Sequence, residues 1–305
     1  MTALAADPVA AWRFFDCRVA AATRLSPSFT RLTLAGPDLD EFADNGWDQR
    51  FKLILPDPLG TYDSLPRAAD WYRTWRRLPA DRRNPIRTYT VRAARPAAGE
   101  VDVDLVLHGD AGPASRFAAR ATAGDRLVVL GPNAVYDGAH GGLEFQPPAP
   151  YAGPFLLVGD ATATPAVLSI LAHLPADAHG EAVLEVPEAG DVLPVEAPAS
   201  VRATWLVQRP AGTQLPAAVG DALDRLGVRD SEPGGGPLPH DGGGDGLLWD
   251  VPDEAAEAVT DTLYAWIAGE SSLVTALRRN LVRDRGIDRR SVAFMGYWRS
   301  GIAGG

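Results

Sequence analysis

Arg87-Thr88-Tyr89-Thr90-Val91-Arg92 is a short run of strand-forming residues bracketed by two cations. In a strand, alternate side chains share a face. Arg87, Tyr89 and Val91 therefore point one way, and Thr88, Thr90 and Arg92 the other. A flavin site needs a cation for pyrophosphate, a flat ring beside the isoalloxazine and a hydroxyl near the reactive nitrogen. Arg87, Tyr89 and Thr90 supply those three groups within four positions if the strand end twists. Taken alone, the run reads more readily as an exposed strand with Thr and Arg on its wet face. Its meaning depends on what flanks it.

Upstream, Phe14 to Ala22 is a strand, broken by Pro27-Ser28. Thr30-Arg31-Leu32-Thr33-Leu34 alternates polar and apolar residues, the period of a half-buried strand. Phe51 to Leu55 is another, stopped by Pro56 and Pro58. Ile86 to Arg92, Val101 to Leu107 and Arg126 to Leu130 complete the set, with turn signals at Pro96, Gly99, Gly124-Asp125 and Gly131-Pro132. Short strands at regular breaks predict a small antiparallel barrel or sandwich. A helix interrupts them at Pro113 to Ala121, with proline well placed at its first position. A second helical patch lies near Ala69 to Leu78, where Trp71, Tyr72, Trp75 and Leu78 stand at helical spacing.

The approach to the first helix carries chemistry. Leu105-Val106-Leu107-His108-Gly109-Asp110-Ala111-Gly112-Pro113-Ala114-Ser115 is a strand end, a glycine-bearing loop and a helix start. Free N–H groups at such a start favour phosphate. Gly112 lets a pyrophosphate approach, and Ser115 can donate a hydroxyl. An ordinary strand-to-helix turn has the same pattern.

Downstream the period changes. Phe155 to Val158 is a continuous apolar run, as in a buried parallel strand. It leads through Gly159-Asp160-Ala161-Thr162-Ala163-Thr164-Pro165 into a helix at Ala166 to His173. Strands at Ala182–Val186, Val201–Val207, Tyr264–Gly269 and Ser291–Gly296 alternate with helices at Leu215–Leu226 and Glu270–Arg285. This predicts βαβ units and a parallel sheet. The Gly159 loop lacks Gly-x-Gly-x-x-Gly, yet stands where a doubly wound sheet receives a nicotinamide dinucleotide. The end, Gly296-Tyr297-Trp298-Arg299-Ser300-Gly301, is aromatic and basic; it can cover a cofactor or simply pack. The expected domains are 10–146, a flavin-binding β-barrel with one helix, and 147–305, a nicotinamide-binding α/β domain. The join is at the proline-rich Leu143 to Pro154, and a Gly/Pro-rich surface loop covers about 229–246.

Composition narrows the classes. The 305 residues are 46% hydrophobic and 22% charged, with a formal net charge of -10 from 39 acidic and 29 basic residues. An acidic chain argues against nucleic acid as a partner. The single cysteine, Cys17, excludes an intrachain disulfide and a four-cysteine iron–sulfur site, and reads as a half-buried strand residue. No metal site is expected. Met1 to Pro8 lacks the basic start and apolar run of a signal peptide, and no window is long and apolar enough to span a membrane. A soluble, cytoplasmic monomer is the expectation.

The order of these signals resembles ferredoxin-reductase-like flavoenzymes, and within them the siderophore-interacting protein family, the NAD(P)H-dependent ferric-siderophore reductases. The matching stretches include Arg87 to Arg92, Val106 to Arg116, Gly124-Asp125, Gly131-Pro132, Gly159 to Ala166, Ala268-Gly269-Glu270, Leu277-Arg278-Arg279 and Gly296 to Arg299. The resemblance implies FAD as cofactor and NADH or NADPH as donor. It implies that Arg87 binds FAD phosphate, Tyr89 packs on the isoalloxazine and Thr90 faces its N5 edge. Val91, Arg92 and the run His108, Asp110, Gly112, Pro113, Ala114, Ser115 complete the FAD contacts. Asp160 and Thr162 are placed where flavin and nicotinamide meet, with Trp298 as a further cofactor contact. Ala161 departs from the family, which carries Glu there. The resemblance also implies a basic pocket for an anionic ferric siderophore. Lys52, the only lysine in the chain, is its clearest match, and Arg73 joins it from an Arg-rich aromatic patch with Arg76, Arg77, Arg82 and Arg83. The implied activity moves electrons from NAD(P)H through FAD to chelated Fe(III) and releases Fe(II) for iron uptake, with no acid–base catalyst. A reductase for another acceptor and a non-catalytic siderophore-binding module are the alternatives. Arg202 and Arg209 are the candidates for holding a 2′-phosphate.

Overall fold

Alternation sets the first sheet. Phe15, Cys17 and Val19 of β1 (Trp12–Arg24) are buried at every second position, as are Leu32 and Leu34 of β2 (Phe29–Ala35). In a computed structural model, which describes residues 9–107, 112–210, 212–228, 247–252 and 262–301, these strands join β3 (Arg50–Ile54), β4 (Ile86–Thr90), β5 (Ala93–Arg95), β6 (Glu100–Val106) and β7 (Arg126–Pro132). The sheet runs β4-β3-β7-β1-β2-β6-β5, with antiparallel pairing at β3–β4, β3–β7, β1–β7 and β5–β6. Its two outermost strands, β4 and β5, are consecutive in the chain. Only Val91 and Arg92 separate them, so the sheet must curl until its edges almost meet.

The backbone at that seam shows how. The Val91 N–H donates to the Gln49 carbonyl beside β3 at 2.8 Å, and the Arg92 N–H donates to the Asp102 carbonyl on β6 at 2.9 Å. Neighbouring amides thus bond to strands from opposite ends of the sheet. The strand expected from Ile86 to Arg92 ends at Thr90, because the chain changes partner at Val91, and a new strand starts at Ala93. The result is a half-barrel, joined across its gap by the chain.

Both faces of this sheet are apolar. The inner side packs Phe15, Leu32, Phe51, Leu53, Val91, Val103 and Val129 with Ala114 and Ala118 of α2 (Pro113–Arg120). On the outer side, Ile54, Ile86, Val128 and Leu130 pack with Tyr62, Leu65, Trp71 and Trp75. The last two belong to α1 (Trp71–Arg77), which falls within the second helical patch expected near Ala69 to Leu78. Cys17 is fully buried rather than half-buried, and burial pushes its thiol up to about 12.

The second half contains β8 (Phe155–Gly159), α3 (Thr164–His173), β9 (His179–Val186), β10 (Ser200–Val207), α4 (Leu215–Arg225), β11 (Trp249–Asp250), β12 (Tyr264–Glu270), α5 (Ser271–Arg278) and β13 (Val292–Trp298). Its sheet order is β10-β9-β8-β12-β13-β11. The pairs β8–β9, β9–β10, β8–β12 and β12–β13 are parallel, but β11 runs antiparallel to β13. The sheet is therefore mixed, a correction to the parallel sheet expected. Two-residue β11 has no period to read in sequence. The helix expected over Glu270–Arg285 is α5 followed by a wider turn at Arg279–Asp284, with Glu270 as its cap. Leu156, Val158, Val183, Ile267 and Phe294 meet α4 and α5 on one face; Ala163 and Val167 lie against Gly159 on the other, with α3.

The described chain forms two compact units. One comprises the chain up to Thr23 and Thr30–Gly142; the other comprises Arg24–Phe29 and the chain from Leu143 on. No helix among the described residues is long and apolar enough to cross a membrane. The expected loop at 229–246 lies outside the described residues.

Candidate functional site

The β3–β4 register distributes the seam residues. Phe51 pairs with Tyr89 and Leu53 with Arg87, so Arg87 and Tyr89 share the inner side with Val91. Lys52 pairs with Thr88 and Arg50 with Thr90, which places these four on the outer side. Tyr89 is half-buried against the inner core, and burial pushes its phenol up to about 12. Thr90 and Val91 are buried.

The cations of this region divide into satisfied and unsatisfied. Arg31 grips Asp104 through two bonds of 2.7 and 2.8 Å, and Arg95 pairs with both Asp102 and Glu100. Arg92 stands 3.8 Å from Asp104, a carboxylate Arg31 already occupies, and its buried Nε makes no hydrogen bond among the described residues. Arg87 donates to the Ile86 carbonyl at 2.8 Å and has no ion pair among the described residues. Burial pulls its guanidinium below the ordinary arginine value, because no carboxylate offsets the lost water.

The helix start behaves the same way. Gly112 caps α2 without a side-chain hydrogen bond, and the first turn carries no acidic residue. A Cβ built on Gly112 would meet nothing within 4 Å among the described residues, and its φ of -141° suits any residue. Neither backbone nor packing therefore demands glycine there; a ligand's close approach would. Pro113 lies half-buried at the first helical position, and Ala114 and Ser115 are buried. His108 and Asp110 lie outside the described residues. An orphaned guanidinium nitrogen, an uncompensated cation and an open, uncapped helix start on one barrel fit a ligand bearing a pyrophosphate.

Lys52 donates to Thr88 Oγ1 at 2.6 Å. Arg73 is exposed and pairs with Asp70 at 3.1 Å, one turn back on α1. Both sit on the outer side, and no contact joins them among the described residues. The surrounding patch is partly committed to itself: Arg83 donates to the carbonyls of Leu78 and Arg76 and lies over Trp75, while Arg76 lies over Tyr72.

In the second unit the topological switch falls between β8 and β12, where the strand order reverses. Ligands of open α/β sheets bind outside the carboxyl ends of the strands at such a point. Asp160 stands there, immediately after β8, and is buried. Its Oδ1 accepts from Thr162 N at 2.8 Å, Thr162 Oγ1 at 2.5 Å and Ala163 N at 3.3 Å. Its Oδ2 accepts from Glu270 N and from Trp298 Nε1, both at 2.8 Å. Gly269 makes room for this: its φ is +148°, and a Cβ there would lie 2.7 Å from Asp160 Oδ2. Glu270 caps α5, accepting from Ser272 N and Leu273 N, and also accepts from Ser300 N at 3.2 Å. The sequence reading expected Asp160 and Thr162 where flavin and nicotinamide meet and gave Trp298 only as a cofactor contact, without the bond that joins Trp298 to Asp160. It missed Glu270's double role, whose only signal was a glutamate followed by two serines. Arg202 lies toward the start of β10, whereas Arg209 follows its carboxyl end.

Comparison with known proteins agrees with this division. Residues 18–136 match the model of the siderophore-interacting FAD-binding domain, and residues 152–301 match that of the siderophore-interacting protein. The chain belongs to the siderophore-interacting protein family. An uncharacterised protein of Mycobacterium tuberculosis is 32% identical over 93% of this chain and 89% of its own length. The ferric vibriobactin reductase ViuB of Vibrio cholerae is 28% identical over 91% and 86%. The crystal structure of the siderophore-interacting protein SipS from Aeromonas hydrophila superposes with a TM-score of 0.65 at 30% identity, covering 95% of this chain and 93% of that one. The half-barrel is thus a flavoprotein domain, and the fold is of the ferredoxin-reductase type. Within that family, Ala161 stands buried directly after Asp160.

Proposed function

We propose that this protein is a ferric-siderophore reductase, moving electrons from NADH or NADPH through FAD to chelated Fe(III) so that Fe(II) is released. The observation that carries the reading is the pair of cations at the seam, Arg87 and Arg92, left short of anionic partners inside an FAD-binding domain. FAD, when bound, supplies the exchange between two-electron and one-electron chemistry that a nicotinamide and a ferric ion require. In this reading residues 10–146 hold FAD and 147–305 hold the nicotinamide.

The side chains bind and orient. Arg87, with the amides and Ser115 hydroxyl at the start of α2, neutralises pyrophosphate; His108 and Asp110 belong to the same loop. Tyr89 offers a flat ring, Thr90 a hydroxyl and Val91 an apolar floor. Thr162 and Trp298 flank the nicotinamide at the carboxyl ends of β8 and β13. Lys52, with Arg73 on the same outer side, attracts the anionic chelate. The protein works as a monomer in the cytoplasm. Similarity to a protein named as a ferric vibriobactin reductase supports the choice of acceptor.

The test is direct. The purified protein should carry a flavin absorbance that bleaches with NADH or NADPH under anaerobic conditions and recovers on adding a ferric hydroxamate or catecholate, with Fe(II) captured by a ferrous-specific chelator. Bleaching followed by recovery only with quinones or protein acceptors would assign a different reductase. A colourless protein that still binds the chelate would make it a binding module.

A further inference from the structure

We propose that Asp160 is a positioning residue: its carboxylate holds the Trp298 indole in place as one wall of the nicotinamide site, without itself touching the donor. This rests on the nicotinamide-binding reading above. Asp160 receives five donors, two from Thr162 and one each from Ala163, Glu270 and Trp298. A carboxylate offers about four lone-pair sites. Its acceptor capacity is therefore spent inside the protein, which leaves none for a ribose hydroxyl or a carboxamide. Gly269 enforces this arrangement, since a side chain there would collide with the same oxygen.

What Asp160 gains by this is control of Trp298. The indole N–H is tied at 2.8 Å, yet 41% of the residue stays exposed. The next anchor lies two residues on, where Ser300 N–H reaches Glu270 Oε1. Trp298 is thus pinned by a charge-assisted bond at its polar edge and held by the following chain. Its ring sits at the carboxyl end of β13, beside the switch point. A flat, immobilised aromatic face in that crevice suits a planar heteroaromatic ring. The same carboxylate sets the Thr162 and Ala163 amides, so one group orders both the loop after β8 and the ring after β13.

Indole ¹H–¹⁵N spectra test the bond without any cofactor turnover. Trp298→Phe identifies the Trp298 resonance among the eight tryptophans. It should exchange slowly in the wild type. In Asp160→Asn, whose amide cannot accept at both oxygen positions, it should move upfield and exchange at least about tenfold faster. With FAD content matched, KM for the nicotinamide should rise about tenfold in Asp160→Asn and in Trp298→Ala, and less in Trp298→Phe, which keeps a ring, while kcat changes by less. Unaltered indole exchange in Asp160→Asn overturns the proposal, as does a loosened indole with unchanged KM. If Asp160→Asn does not fold, the two Trp298 variants decide: equal KM values to wild type refute the wall. A wild type whose Trp298 resonance is slow-exchanging but unmoved by NADH and NADPH, and whose flavin neither reduces, refutes the nicotinamide reading and the ring's role with it.

Discussion

Arg87 and Asp160 are both charged groups drawn out of water, and the fold treats them oppositely. Asp160 is given five hydrogen-bond donors from within the chain. Arg87 is given one backbone carbonyl and no carboxylate among the described residues. The glycines follow suit: Gly269 is required by its neighbours, whereas Gly112 faces open space. A group whose bonding is complete is architecture. A group whose bonding is incomplete, while Arg31 and Arg95 of the same sheet are paired with carboxylates, is kept for something that arrives later.

Removing the completed group should cost the most. Asp160→Ala leaves the Trp298 and Glu270 N–H groups without their acceptor, and urea unfolding should show a loss of about 3 kcal/mol or more. A loss under about 1 kcal/mol would erase the contrast. Arg87→Met should leave stability nearly unchanged, since it removes a half-buried cation with little to hold it. It should weaken FAD binding to the apoprotein about tenfold to hundredfold, read by fluorescence titration; unchanged affinity would make Arg87 a plain strand residue.

The glycines give a smaller, paired effect. Gly269→Ala should destabilise by about 2 kcal/mol through backbone strain and crowding of Asp160. Gly112→Ala should cost under about 1 kcal/mol in thermal unfolding, yet weaken flavin retention. A reversal of that order would mean Gly112 is structural. The smallest effect lies at high pH. Burial raises the Tyr89 phenol from 10.0 to about 12, so the folded state holds a proton that the unfolded chain has lost. Tyr89's contribution is full below pH 10 and fades as pH rises toward 12. Tyr89→Phe should flatten that part of the stability profile, measured as urea midpoints from pH 9 to 12.

Periodicity carried much of the fold. Phe155 to Val158 reads as a buried parallel strand, and Thr30 to Leu34 as a half-buried one, because local patterns reflect one-sided or two-sided burial. What periodicity could not show was pairing between distant residues. Arg31 and Asp104 lie 73 positions apart, and Asp160 and Trp298 lie 138 apart. The contents of the Arg87–Arg92 run were legible, but its place at the gap of the sheet was not, since nothing in those residues records a change of partner at Val91. Short β11 left no pattern, and Glu270 looked like the first turn of a helix rather than its cap.

The two amides at Val91 and Arg92 also bear on how the chain acquires its site. Their acceptors, at Gln49 and Asp102, lie far apart in sequence and reach the gap only once the strands between them have assembled. Closing such distant contacts is entropically late work in folding. The Arg87–Arg92 run that carries the cations is therefore set in place as the sheet closes at this seam. Flavin uptake should then act as a checkpoint on completion: only a finished barrel turns yellow, and the bound cofactor in turn holds it shut by mass action.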